Sequence, residues 1–308
     1  MDVHSAARSL SAKRVAPTSR PLEDVPYIDQ FRSGEPGPAG DVAELFHENT
    51  KYTDELERKL TASSARLSAD EFRWLQSQIN PTYRHGPLRS LPDPADSLDR
   101  SLSRALRERA SHRAFADAPL RAETLSTLLA HACGTSRTEK LAFDGLEDVR
   151  QRFRTYPSGG ALYPVEVYLA IRNCADVDPG VYHYDHREHG LRLLDPAGES
   201  FDRTLSKTVM SPKSVVDVTE AGAMIVLTGA FWRSKAKYGP RGYRFVLQES
   251  GHVAQNLQLV GTALGLGSVP LGSFHDRRLN ELLGLDGVTE AALYSLVFGP
   301  RTDGERDA

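Results

Sequence analysis

An α+β fold is predicted for this chain of 308 residues, and three observations carry the expectation. Apolar, β-branched runs at 165–171 (VEVYLAI), 223–230 (AMIVLTGA) and 291–298 (AALYSLVF) read as strands. Segments at 120–133 and 243–264 carry apolar residues three and four apart and read as amphipathic helices. The two kinds of segment do not alternate in the regular rhythm of a doubly wound parallel sheet, so a mixed sheet flanked by helices is expected.

Taken in order, residues 1–40 are rich in Ser, Pro, Arg and Gly and read as an irregular tail. Residues 41–95 read as a helical extension and linker. Val42, Leu45 and Phe46 share one helix face, and Ser68 caps a second helix carrying Phe72, Leu75 and Ile79. NPTYRHGPLRSLPDPAD, with four prolines and a glycine, reads as a linker or an extended strap. The main domain is expected over 96–303. It opens with an amphipathic segment whose Leu98, Leu102 and Leu106 lie four apart, followed by a helix placing Leu125, Leu128 and Leu129 inward. VYHY (181–184) and LRLL (191–194) read as a hairpin joined by DHREHG. The longest helix, 243–264, has Val253, Leu257, Val260 and Leu264 at helical spacing. Gly251 and Gly261 interrupt it, which implies close packing against another subunit or a flat ligand.

Composition removes several function classes. The net charge of -3 argues against a general nucleic-acid binder. Cys133 and Cys174 make neither a zinc spacing nor a disulfide framework. No apolar run is long enough for a membrane span, and the N-terminus lacks the apolar centre of a secretory signal, so a cytoplasmic protein is expected. His183, His186 and His189 fall three apart. On a strand, 183 and 189 would share one side with 186 opposite, so no metal site is expected. There is no GxGxxG after a strand, no GxxxxGK[ST] and no GxSxG.

Four segments hold candidate chemistry. In RERASHRAF (107–115), Arg109, Ser111 and Arg113 alternate; in an extended segment they offer two guanidiniums and a hydroxyl to one phosphate, though a solvated turn fits the residues equally. YPSGGALYP (156–164) and GLGSVPLGSF (265–274) are glycine turns that let a backbone approach a flat ligand. One phosphate clamp with two such turns suits a mononucleotide bearing a broad ring, flavin mononucleotide (FMN) above all. RSKAKYGPRGYR (233–244) is a local basic stretch with two tyrosines, open to reading as a nucleic-acid patch, a solvated loop or a Lys–Tyr pair aimed at a reacting carbon.

In this order, FHENTKY, RASHRAF, YPSGGALYPVEVYL, GVYHYD, KYGPRGYR, ESGHVAQNLQLVGTALGLGSVPLGSF and LYSLVFG resemble the nitroreductase-like FMN flavoproteins, and within them the SagB-type dehydrogenases. That group includes azoline oxidases of ribosomal-peptide maturation. The resemblance implies an α+β fold and a homodimer with FMN at the subunit interface. It implies that Arg109, Ser111, Arg113 and Arg301 hold the phosphate, that Pro157, Ser158 and Gly159 border the flavin, and that Pro270, Leu271 and Gly272 approach the ring edge. Gln255 and Asn256 are expected to contact flavin or the dimer partner, or to pack. Ala161 stands where many nitroreductases carry Asn, which speaks against simple nitroreductase activity.

The same resemblance implies a reaction. An azoline becomes an azole by losing an α-proton and a β-hydride, with flavin as the electron sink and oxygen as the expected acceptor. Lys237 and Tyr238 match the acid/base pair. A lysine serves as a base only where burial or nearby cations favour its neutral form, and Arg233, Lys235 and Arg241 are the cations at hand. On a strand, 237 and 238 would oppose each other, so an irregular segment around Gly239-Pro240 is expected to turn both toward the ring. The implied partners are an azoline-containing precursor peptide and a cyclodehydratase. Rival readings with nearly the same residues are an oxidase of a carrier-tethered or free small molecule, and a flavin-binding scaffold subunit.

Overall fold

The computed structural model describes residues 86–140 and 150–302, with isolated positions between 46 and 58. The expected tail over 1–40 and nearly all of the expected helices over 41–80 lie outside the described residues. The chain divides into two units, Met1–Lys51 and Tyr52–Ala308. In the first, Phe46, His47 and Asn49 are helical, and the buried Thr50 donates its hydroxyl to the Phe46 carbonyl.

The second unit runs through β1 (Leu88–Ser90), α1 (Leu102–Glu108), α2 (Ala122–Cys133), β2 (Thr135–Lys140), β3 (Arg150–Arg154), β4 (Val165–Ile171), β5 (Gly180–Asp185) and β6 (Gly190–Pro196). It continues with α3 (Phe201–Thr208), β7 (Ala223–Ala230), α4 (Phe231–Tyr238), α5 (Arg241–Ala263), β8 (Leu266–Leu271), α6 (Asp276–Leu283) and β9 (Glu290–Pro300). Seven strands form one sheet in the order β1-β6-β5-β4-β7-β9-β8, while β2 and β3 form a separate two-stranded arm. Every described pairing in it is antiparallel, between strands joined both by hairpins, as β5 to β6, and by longer crossovers, as β4 to β7. β1 lies inside the stretch read as a linker or strap, and pairs with β6.

Both faces of the sheet are covered, which explains why β4 and β7 read as unbroken apolar runs. Val165, Val167, Leu169 and Ile171 point into one core with Leu125, Leu128 and Leu129 of α2 and Val253 and Leu257 of α5. The intervening Tyr168 and Ala170 point into a second core with Leu205 of α3 and Leu279 and Leu283 of α6. This is the two-residue period of a strand serving two layers.

Two local readings are corrected, the leucine stripe and the packing of Gly261. The leucine stripe before residue 109 does not pack: Leu102 is 66% and Leu106 54% exposed, and the buried residue of α1 is Ala105. Of the two helix glycines, Gly261 packs closely, but within its own chain: a Cβ there would lie 2.8 Å from the Phe298 ring. At Gly251 nothing in this chain lies within 4 Å of an added Cβ. The hairpin expected over 181–194 forms, so His189 lies in its turn and not on one strand with His183. His183 bonds Glu166 at 3.0 Å, whereas His189 bonds Ser126 at 2.7 Å and Tyr184 at 2.9 Å. Among the described residues no His/Cys/Asp/Glu cluster could hold a metal, and no helix is long and apolar enough to cross a membrane.

Candidate active site

The residues picked from the sequence gather in two clusters joined by α5. The first lies along β8 and the end of β9. After α1 the chain extends beside these strands: His112 N–H donates to the Ser268 carbonyl at 2.8 Å and Ala116 N–H to the Pro300 carbonyl at 2.9 Å. Phe115 bridges to Arg301. Arg109, Ser111, Arg113 and Arg301 thereby reach one edge of the sheet. A Cβ at Gly267 would lie 3.2 Å from His112 Cβ and 3.4 Å from Arg301 Cγ, so the strand is pared to glycine where they crowd it. Arg109 donates to Gln258 Oε1 at 3.5 Å and Arg113 to the Ser111 carbonyl at 3.4 Å, both long bonds. Three guanidiniums and a hydroxyl suit a phosphate.

The second cluster is the turn between β3 and β4. Gly160 (φ 65°), Ala161 (φ 52°) and Tyr163 (φ 45°) all have left-handed backbones, a conformation that non-glycine residues adopt only when their surroundings impose it. The impositions are visible. Arg154 N–H donates to Tyr163 Oη at 3.0 Å, Tyr163 N–H to Ser158 Oγ at 2.9 Å, and Ser158 Oγ–H to Glu249 Oε2 at 2.5 Å. Val165 N–H adds a 3.4 Å bond to Glu249 Oε1.

Lys237 and Tyr238 occupy the last turn of α4 rather than the irregular segment expected, and Gly239 (φ 56°) ends the helix. Neighbours on a helix diverge by only about 100°, so both long side chains swing to one place without a bulge. A Cβ at Gly160 would sit 2.6 Å from Tyr238 Oη and 2.8 Å from Lys237 Nζ. The polar tips of the pair therefore flank the same glycine. The Tyr238 ring stands edge-on to Phe245, their centroids 4.9 Å apart. Gly159 faces the same two rings, a Cβ there falling 3.5 Å from Phe245 and 3.7 Å from Tyr238.

Other predicted residues are less concentrated. Pro270 is half-buried, Leu271 enters the second core, and Gly272 is exposed with open space around its missing Cβ. Gln255 is exposed, while Asn256 donates to the Ala132 carbonyl at 3.2 Å and ties α5 to α2. Of the cations expected to surround Lys237, Arg233 is buried and turned away, donating to Glu166 and to the Tyr163 carbonyl. Burial works against the Glu166 carboxylate, but Arg233 and the His183 hydrogen bond hold it well below the usual carboxylate range.

Gln258 and Glu249 were not singled out by the sequence reading. Both fall on the buried stripe of α5 with Val246, Val253 and Leu257, and a polar residue on such a stripe is the signal that marks them. Burial pushes the Glu249 carboxyl up to about 7, while the Ser158 hydrogen bond, Arg154, Val165 N–H and Arg233 pull the other way.

The Nitroreductase family model matches residues 106–299, which takes in both clusters but for Arg301. The chain belongs to the nitroreductase family. It is 34% identical over 183 residues to a nitroreductase-like protein of Methanocaldococcus jannaschii, MJ1384, covering 59% of this chain and 83% of that one. It is 32% identical over 154 residues to the microcin B17-processing protein McbC of Escherichia coli, covering 49% and 55%. To the trifolitoxin-processing protein TfxB of Rhizobium leguminosarum bv. trifolii it is 29% identical over 177 residues, covering 57% and 46%. The chain thus spans about half the length of either processing protein. Two solved structures are alike at 25% identity: a nitroreductase-like protein of Anabaena variabilis (TM-score 0.61, 83% of this chain and 45% of that one) and the E. coli microcin synthetase McbBCD complex with truncated pro-MccB17 bound (TM-score 0.51, 72% and 80%). These relatives bear out the resemblance of this nitroreductase-family chain to the SagB-type branch.

Proposed function

We propose that this chain is an FMN-dependent dehydrogenase that converts thiazoline or oxazoline rings of a precursor peptide to thiazoles or oxazoles. It acts in the cytoplasm as a homodimer, in company with a cyclodehydratase. The observation that carries the reading is the convergence of Lys237 Nζ and Tyr238 Oη on Gly160, in a turn built for close backbone approach.

The residues fit the cofactor. Arg109, Ser111, Arg113 and Arg301 offer the donor set of a phosphate site, with Gln258 orienting Arg109. Pro157, Ser158 and Gly159, with Pro270, Leu271 and Gly272, are the segments that would border the ring. Bound FMN supplies a two-electron sink for hydride, and oxygen takes up the electron pair at the end of the cycle. The protein's own residues handle the proton. Lys237 is the base that removes the proton from the ring carbon adjoining the peptide carbonyl. Tyr238, held edge-on by Phe245, donates to the ring heteroatom or relays the proton outward. Gly160 leaves the pair unobstructed where any side chain would fill the gap.

The test is Lys237→Ala. The variant is expected to bind FMN normally, read by visible absorbance, and to lose azoline oxidation by about 10²–10⁴-fold, the usual worth of a general base. The product is read as a two-dalton mass loss per ring. Wild-type turnover by the variant overturns the assignment.

A further inference from the structure

Glu249 is 2% exposed, and nothing in the proton handling above uses it. Its position is nevertheless specific. Three left-handed residues crowd into the turn at 160–163, two of them without the freedom of glycine. A single directed chain of hydrogen bonds runs from that turn into α5: Tyr163 N–H to Ser158 Oγ, then Ser158 Oγ–H to Glu249 Oε2. The Tyr163 N–H donates in any case; an ionised carboxylate, which only accepts, can take the Ser158 O–H at one oxygen and the Val165 N–H at the other. A protonated carboxyl sets an O–H against one of these two donors, and that bond to the turn is lost.

The groups facing Glu249 leave this role to it. From β3, Arg154 donates to Tyr156 Oη at 2.6 Å and the Val165 carbonyl at 3.1 Å, and it meets His186 Nδ1 at 3.3 Å. From α4, Arg233 is taken by Glu166 and the Tyr163 carbonyl. The phenols of Tyr156 and Tyr163 also face Glu249, and burial and its charge push both of them up. Neither guanidinium forms an ion pair with Glu249 among the described residues, so the carboxylate depends on Ser158 and the Val165 N–H for direct bonds.

We propose that Glu249 is a positioning residue: its ionised carboxylate holds the Ser158–Tyr163 turn in the shape that keeps Gly160 against Lys237 and Tyr238, and its protonation loosens that turn. The inference rests on the azoline-oxidation reading for its effect on turnover, but not for its effect on folding.

Two measurements on the full chain test it. The first needs neither cofactor nor substrate. The bonds to Ser158 and the Val165 N–H favour the ionised form, but the cost of burying its charge outweighs them and raises the folded carboxyl from 4.5 to about 7, so the folded state as a whole keeps a proton that the unfolded chain releases. That contribution is fully present below the unfolded value and is lost as pH rises toward the folded one. Urea unfolding from about pH 5 to about pH 8 should therefore favour Glu249→Gln over wild type increasingly, by about tenfold or more in the folding equilibrium. Parallel stability curves overturn the proposal. The second measurement is kcat against pH on FMN-loaded protein. The wild type should show a limb rising with pH around neutrality. Glu249→Gln should lack that limb and run about tenfold slower, with KM unchanged. Ser158→Ala should move the limb to higher pH, since it removes a bond that favours the ionised form. A limb unmoved by both substitutions overturns the positioning role. A wild type that shows the stability difference but never oxidises an azoline peptide overturns the substrate reading and leaves Glu249 supported.

Discussion

The two clusters on α5 are built in opposite ways. Around Gln258, the arginines stand half-buried or exposed, their described bonds are long, and the backbone beneath them is ordinary extended chain. Around Glu249 the turn is strained, its polar groups are bonded in sequence, and the cations beside it are buried, Arg233 in an ion pair with Glu166. An arrangement of the first kind retains freedom to close on an anion. One of the second kind has settled its geometry in advance and suits chemistry, where small displacements are costly. The contrast teaches that affinity and turnover should separate on mutation.

The strongest way to break this division is the double substitution Arg109→Ala with Arg113→Ala. Two charge-assisted bonds at about 1.5–3 kcal/mol each predict a loss of about 10²–10⁴ in FMN affinity, so the protein should purify colourless. A fully yellow double mutant would refute the phosphate clamp. Next in size is Gly160→Ala. The added Cβ meets Tyr238 Oη and Lys237 Nζ, and the left-handed backbone penalises it by about 1 kcal/mol or more. Turnover should fall by about tenfold while FMN affinity holds; a parallel fall in both would merge the two clusters into one. The smallest effect is expected at Gln258→Ala. Removing one weak acceptor from Arg109 should cost FMN affinity by about two- to tenfold, measured by flavin fluorescence titration, with kcat unchanged.

Much of the frame was legible because it obeys simple periods. β4, β7 and β9 announced themselves as apolar runs, and α2 and α5 by residues three and four apart. The leucines of α1 misled because periodicity reports a stripe without saying what covers it; the close approach is made by Ala105. Lys237 and Tyr238 were placed in an irregular segment because Gly239-Pro240 is a strong breaker, yet the breaker acts just beyond them and the helix reaches Tyr238 intact. Glu249 escaped notice since an acid in a helix ordinarily reads as solvated. Only its fall on the same stripe as Val253 and Leu257, four and eight residues on, betrays its burial. Glu166, in the middle of VEVYLAI, carries the same mark, and its partner Arg233 lies too far along the chain for spacing to connect them.

One consequence follows from α5 carrying an anchor for each cluster. Glu249 and Gln258 are nine residues apart, which an α-helix converts to about 13 Å. A helix cannot stretch to absorb an error in that interval. Adding or deleting one residue between them would turn Gln258 by about 100° around the axis and carry it off the buried face, even with every side chain of both clusters retained. The number of residues in this part of α5 is therefore as much a constraint on the protein as their identity, and length variation should be tolerated in the loops long before it is tolerated there.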